Sequence, residues 1–363
     1  MPTEVLMGES IVSQSGELFK RFGKKALIVT GKHSSKKNGS LDDCCTILSQ
    51  MGIGYSVFDE VEENPTLETI AKASVQGIKE KTDFIIGIGG GSPLDAAKVI
   101  GILIKNPEIT IDTIFDVPAL SSLEVIAIPT TSGTGSEVTP YAIVTDHRSQ
   151  TKRNIGHRVF PALAFLDPSY TYDLPYSITI NTAIDAFTHL AEGYLNVNAS
   201  TFSDTQAEKG LLLFSKSLPA LKENQITPEV RADLMIASSL AGFVIAQTGT
   251  SLPHGMGYAL TYHKGLPHGI ANGILFPAYL ESFKDCSKLN QMLHWLGFSE
   301  LNQLTTILKS LVQVDINISL EELENYALQM SSNEAKLKNH PEVIDFNGLF
   351  EIYKKSFYAE SSL

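Results

Sequence analysis

Asp185 and His189 stand four residues apart in Asn181-Thr-Ala-Ile-Asp-Ala-Phe-Thr-His-Leu-Ala-Glu, a segment with helical spacing, so their side chains share one face. Much further along, Pro253-His254-Gly255 and Leu266-Pro267-His268-Gly269 offer two more imidazoles, each between a proline and a glycine. One carboxylate and three imidazoles form a mixed oxygen and nitrogen set that suits Fe(II) or Zn(II) and is poor for calcium. A lone Asp-x-x-x-His pair is more often a satisfied helix face than a ligand pair, and the two Pro-His-Gly triplets carry more weight than the pair. His33, His147, His157, His294 and His340 take the ordinary structural reading, while His263, lying between the two triplets, stays open.

A second kind of chemistry is written in glycines and hydroxyls. The run Phe84-Ile-Ile-Gly-Ile-Gly-Gly-Gly-Ser92-Pro93-Leu-Asp95-Ala-Ala-Lys98 reads as strand, turn and helix start. Glycines let a backbone approach a pyrophosphate closely; Ser92 is expected to cap the helix and Pro93 to open it, leaving free N–H groups at the positive helix end for an anion. The spacing is not Gly-x-Gly-x-x-Gly, and glycines that merely make a tight turn and a close helix contact are the alternative. The turn after the next strand, Pro129-Thr130-Thr131-Ser132-Gly133-Thr134-Gly135-Ser136-Glu137, offers hydroxyls suited to ribose and phosphate oxygens, against a loop that satisfies its own backbone. After the first strand, an acid would bind a ribose 2′-hydroxyl and repel a 2′-phosphate. Here stand Gly31, Lys32, His33, Ser34, Ser35, Lys36 and Lys37, which favours NADP over NAD unless the lysines are only a solvated charge run.

These residues need a frame. Residues 25–30 and 84–88 are short apolar runs ending in glycine, 55–58 and 125–128 read as further strands, and 42–51 and 67–79 have helical spacing. The β-α-β-α-β order predicts an α/β domain with a Rossmann-like parallel sheet over residues 1–174. Past Leu174-Pro175, strand-like runs become scarce and 178–195, 203–221 and 228–246 carry apolar residues at helical intervals, so 175–363 is expected to be an all-α domain.

The whole chain sets outer bounds. Its 363 residues are enough for two cores, and 43% hydrophobic with 19% charged residues is a globular composition. A net charge of -12 without a basic stripe argues against a nucleic-acid partner, and no apolar run is long enough for a membrane helix. Three cysteines without framework spacing and the absence of a basic-then-apolar start point to a reducing cytoplasm.

The motifs Gly89-Gly-Gly-Ser-Pro-Leu-Asp-Ala-Ala-Lys98, Ile128-Pro-Thr-Thr-Ser-Gly-Thr-Gly-Ser-Glu-Val-Thr139, Asp185-Ala-Phe-Thr-His-Leu-Ala-Glu192 and Gly265-Leu-Pro-His-Gly269 occur in this order over nearly the whole length. In them the chain resembles the iron-containing (group III) alcohol dehydrogenases. The resemblance implies Asp185, His189, His254 and His268 as ligands of a metal facing a cleft between the domains. It implies Gly90, Gly91, Ser92 and Asp95 at the pyrophosphate, Thr130, Thr131 and Thr134 at the nicotinamide half, Asn64 and Lys152 as further cofactor contacts, and a homodimer. The implied reaction is metal-assisted hydride transfer between a small alcohol or aldehyde and the dinucleotide. Many members carry another histidine four residues after the third ligand; here Tyr258 stands there, so Tyr258, His263 or water is left for proton transfer. Alternatives are a zinc glycerol-type dehydrogenase using NAD, a lyase like dehydroquinate synthase, for which residues 240–275 offer only Lys264 among Lys and Arg, and a nucleotide-binding protein without catalysis, which intact candidate ligands oppose.

Overall fold

The computed structural model describes residues 2–358. It divides into two compact units: residues up to Leu174 together with Thr227–Met235, and Pro175–Ile226 together with Ile236 onward.

The first unit is built on β1 (Glu4–Met7), β2 (Lys25–Gly31), β3 (Gly54–Val61), β4 (Phe84–Gly89), β5 (Val125–Pro129), β6 (Ile143–Asp146), β7 (Thr151–Asn154) and β8 (Leu163–Leu166). Six of these form one parallel sheet in the order β1-β8-β5-β4-β2-β3, while β6 and β7 pair as an antiparallel hairpin. The central strands are continuous apolar runs because both faces are covered. Alternation then sorts their side chains: Leu27, Val29, Ile85 and Val125 join one core cluster, and Ala26, Ile28, Phe84, Ile86 and Ile126 the other. Helices α1 (Ser40–Gln50), α2 (Leu67–Glu80) and α3 (Gly91–Lys105) connect the strands and contribute Leu48, Ile70 and Ile100 to these cores.

Several details differ from the sequence reading. The edge strand β1, the four-residue β8 and the hairpin were not expected; each is short, and β1 is partly exposed, so none presents a long apolar run. Ser92 does not cap α3, because Gly90 occupies the cap and the Ser92 hydroxyl instead accepts from the Asn64 N–H at 3.1 Å. Residues Thr227–Met235, expected in the second domain, cluster with the sheet unit, where Arg231 Nη2 donates to Leu174 O at 3.0 Å.

The second unit is helical: α4 (Tyr176–Tyr194), α5 (Thr201–Glu223), α6 (Pro228–Thr248, its first turns in the sheet unit), α7 (Leu252–Lys264), α8 (His268–Leu280), α9 (Ser287–Trp295), α10 (Leu301–Leu311), α11 (Leu320–Ser331), α12 (Glu334–Leu337) and α13 (Phe346–Phe357). Prolines sit at the starts that matter: Pro175 precedes α4, Pro253 lies in the first turn of α7, and Pro267 precedes α8. Among the described residues no helix is long and apolar enough to cross a membrane.

Candidate functional site

Helix α4 presents Asp185, His189 and Glu192 at i, i+4 and i+7, one stripe of a buried helix. His254 lies in the first turn of α7, and His268 is the first residue of α8. The close seating of α8 depends on Gly269: a Cβ there would meet Asn181 O at 1.9 Å and Asp185 Cβ at 2.9 Å. The glycine after His268 thus lets the start of α8 press against the turn of α4 that carries the carboxylate.

The packing gathers all four predicted ligand side chains. Asp185 Oδ1 lies 3.5 Å from His254 Nε2 and 3.9 Å from His268 Nε2, and Asp185 Oδ2 lies 4.0 Å from His189 Nδ1. Asp185, His189 and His254 are buried and can place one ligand atom each within 4.8 Å of the others. His268 is the outermost, with its side chain 21% exposed. A tetrahedral ion with bonds of about 2.1 Å separates its ligand atoms by roughly 3.4 Å, so these separations leave room for one divalent ion.

The hydrogen bonds make the same point. Glu192, fully buried, places Oε1 2.5 Å from His254 Nδ1, while its Oε2 accepts the Ser251 N–H at 2.6 Å. With Nδ1–H directed at Glu192, a neutral His254 turns its Nε2 lone pair towards Asp185 Oδ1; two acceptors face each other, which is repulsive without a cation between them. Burial alone would raise the Asp185 pKa, but His189, His254 and His268 outweigh it and hold the carboxyl well below the usual range. Burial works to lower His254, and the charges of Glu192 and Asp185 override it and raise its pKa. The donor set therefore fits a divalent ion. Asn272, one turn beyond His268, donates Nδ2 to Asp185 Oδ1 at 3.3 Å and lies 3.3 Å from His268 Nε2.

Neither Glu192 nor Asn272 was assigned a role from sequence, although the i, i+4, i+7 pattern in α4 was a usable signal for Glu192. Tyr258 stacks on His268, ring centroids 5.7 Å apart. His263 is corrected: nine residues past His254, about 13 Å along the helix, it stacks on Tyr326 at 5.4 Å. Two histidines given the structural reading do serve the fold. His157 accepts the Leu120 N–H and lies 2.8 Å from Ile114 O, and His340 accepts the Glu342 N–H.

In the sheet unit, the register pairs Gly89 with Pro129, so the glycine turn after β4 and the hydroxyl turn after β5 leave the same edge side by side. The Thr130 N–H donates to Gly89 O at 2.9 Å. Gly91 is required by this approach, since a Cβ would meet Thr134 Cγ2 at 2.6 Å; at Gly90 it would meet Thr131 Oγ1 at 3.1 Å. Thr130 Oγ1 is buried without a hydrogen-bond partner among the described residues. Asn64, in the left-handed region at φ 58°, accepts at its carbonyl from Thr145 Oγ1 at 2.8 Å, and Thr145 pairs across the hairpin with Lys152.

Two of the expected cofactor residues carry hydrogen bonds within the fold. Asp95 does not face a pyrophosphate with a free oxygen: Oδ1 accepts from Ser136 Oγ at 2.5 Å and Oδ2 from the Ile143 N–H at 2.8 Å, tying α3 to the turn after β5 and to β6. Ser35 is buried and hydrogen-bonded to Thr30 Oγ1 at 2.8 Å, so its hydroxyl belongs to the fold. Gly31 ends β2 and Lys32 is exposed, whereas Lys36 pairs with Asp59 at 2.5 Å and holds that carboxyl below its ordinary range.

Comparison with known proteins covers both units. Residues 2–168 match the family described as iron-containing alcohol dehydrogenase, and residues 179–357 match the Fe-containing alcohol dehydrogenase family, C-terminal. The chain is 32% identical over 296 residues to the NADPH-dependent butanol dehydrogenase of Clostridium saccharobutylicum, covering 80% of this chain and 75% of that protein. It is 36% identical over 266 residues to the bifunctional aldehyde-alcohol dehydrogenase of Escherichia coli (strain K12), taking in 69% of this chain but only 30% of that much longer relative. A crystal structure of an iron-containing alcohol dehydrogenase from Thermotoga maritima superposes with a TM-score of 0.91 at 40% identity, covering 98% of each chain.

Proposed function

We propose a function from the premise those matches establish: the chain belongs to the iron-containing alcohol dehydrogenase family. It transfers a hydride between a small alcohol or diol and NADP(H), running equally as an aldehyde reductase. The observation that carries this reading is the convergence of Asp185, His189, His254 and His268, with lone pairs of His254 and Asp185 facing across a space fit for an ion.

Those four residues would hold Fe(II), with Zn(II) the alternative. Once bound, the ion supplies Lewis-acid polarisation of the substrate oxygen. Glu192 fixes the tautomer and the ring of His254, and Asn272 steadies Asp185. Tyr258, beside the most exposed ligand, is the side chain placed to take part in proton transfer at the alcohol oxygen. Gly90, Gly91 and Ser92 offer the backbone and helix start of α3 to the pyrophosphate, Thr130, Thr131 and Thr134 offer hydroxyls to the nicotinamide half, and Asn64 and Lys152 flank them.

The NADP reading rests on Gly31 and Lys32. Asp59 weakens it by engaging Lys36. Free Cys44, Cys45 and Cys286 agree with a reducing, cytoplasmic setting. The direct test is turnover of short alcohols, diols and aldehydes by Fe(II)-loaded protein with each cofactor. Metal-dependent oxidation with NADP+ preferred is expected; no turnover of any alcohol with either cofactor would reject the reading.

A further inference from the structure

Lys98 and the half-buried Lys336 are held in different ways. Lys98, fully buried, donates to Ser136 Oγ and Tyr141 O, both at 2.7 Å, with the Asp95 carboxylate 3.6 Å away. Lys336, on α12, donates to a neutral hydroxyl, Thr250 Oγ1, and forms no ion pair among the described residues. Its stem runs against α7: a Cβ at Gly255 would come within 2.7 Å of Met330 Sδ and 3.1 Å of Lys336 Cγ, so the glycine that follows His254 leaves room for both side chains. Its Nζ stands 5.8 Å from the ring centroid of Tyr258, the ring that stacks on His268. Tyr258 thus neighbours both this ammonium and His268, the most exposed member of the cluster.

A partly desolvated cation with one neutral acceptor has unmet capacity for an anion. Burial lowers its pKa to about 8 against the pull of Glu192, which leaves it mainly charged at neutral pH. Glu192 does not meet that capacity, since its own oxygens are directed to His254 and to the Ser251 N–H. We propose that Lys336 selects the far end of the substrate, binding the carboxylate of a short alcohol or aldehyde whose oxygen sits at the Asp185, His189, His254 and His268 centre. This rests on the alcohol dehydrogenase reading and adds the substrate class, ω-hydroxy and ω-oxo acids. In the reducing direction the aldehyde carbon takes a hydride from the reduced nicotinamide and its oxygen takes a proton; the carboxylate is unchanged.

The test compares kcat/KM of the Fe(II)-loaded protein for 4-oxobutanoate and 5-oxopentanoate with butanal and pentanal, in wild type, Lys336→Met and Lys336→Arg. A charge-assisted hydrogen bond makes wild type prefer an acid over its neutral partner by about 10- to 100-fold. Lys336→Met brings that ratio close to one, mainly through KM for the acid, and Lys336→Arg keeps most of it. Wild type that uses butanal as well as 4-oxobutanoate overturns the inference and leaves the dehydrogenase reading standing. Equal losses on acid and neutral substrates in Lys336→Met also overturn it, because the lysine then serves Glu192 and the metal centre. Absence of turnover with all four aldehydes overturns the inference, while the dehydrogenase reading is decided separately by the screen of short alcohols and diols with both cofactors; if Lys336→Met does not fold, the wild-type ratio and Lys336→Arg decide.

Discussion

At the metal centre nearly every polar contact is made by a side chain, brought from three helices and from positions as distant as Asp185 and His268. At the ends of β4 and β5 the polar surface is largely backbone, exposed because glycines let two turns lie against each other. Charge and ligand type decide the first region; volume decides the second. Single substitutions should therefore fail in different ways. In the helical unit, loss of one atom removes a function while the packing survives. In the sheet unit, addition of one methyl group disturbs both packing and binding.

The largest effect is expected from Asp185→Ala. Loss of the carboxylate facing three imidazoles should lower kcat/KM by about 1,000-fold or more and abolish stoichiometric metal, with the helical circular dichroism retained. Glu192→Gln is milder. It keeps the shape but removes the charge behind His254, so metal affinity measured by competition with a chelator should fall about 10- to 100-fold. An unchanged affinity would show that Glu192 serves only the Ser251 N–H.

Gly91→Ala sharpens the contrast from the other side. Its Cβ would lie 2.6 Å from Thr134 Cγ2, and overpacking of this kind costs about 1–3 kcal/mol, so a lower Tm and a KM for the dinucleotide raised about 10-fold are expected, with metal content unchanged. Removing the obstructing methyl by Thr134→Ser in that background should recover part of both. Gly31→Asp places a carboxylate at the end of β2, where an acid binds a ribose 2′-hydroxyl and repels a 2′-phosphate; it should shift the kcat/KM ratio towards NAD by about 10-fold. A protein that already prefers NAD would mark Lys32 as a solvated surface charge.

The smallest effect concerns stability alone. Burial tends to raise the Asp146 pKa, but Ser149, Arg153 and the Arg148 N–H bring it down to about 2. A folded pKa below the ordinary 3.8 means the contribution is full above about pH 4 and is lost as the pH falls towards 2. Asp146→Asn should cost about 1–2 kcal/mol near neutrality, since its arginine partners are half exposed, and should flatten the acid limb of the stability profile.

The same contrast explains what could be read from the sequence. Strands β2, β4 and β5 are legible because burial on both faces makes them unbroken apolar runs, and the clustering of Asp185, His189, His254 and His268 was an expectation carried by the motifs that the chain shares with a known family. The hydrogen bonds that Asp95 and Ser35 make within the fold were not legible, because a motif shows proximity to a ligand without showing that β6 and Thr30 also engage the side chain. His263 sat between two ligands in sequence, yet helical rise carries it away from them in space. Glu192 was within reach of periodicity, whereas the approach of Lys336 to Tyr258 is set by how α12 packs, which no local pattern encodes.

Asp185, His189, His254 and His268 are expected to share one divalent ion. Iron-edge X-ray absorption on anaerobically Fe(II)-loaded protein, with metal counted per chain, tests it most directly. One iron per chain in a nitrogen and oxygen shell at about 2.1 Å, lost in Asp185→Ala, is the expected result. Substoichiometric iron in the wild type, or the same shell in the variant, would contradict it.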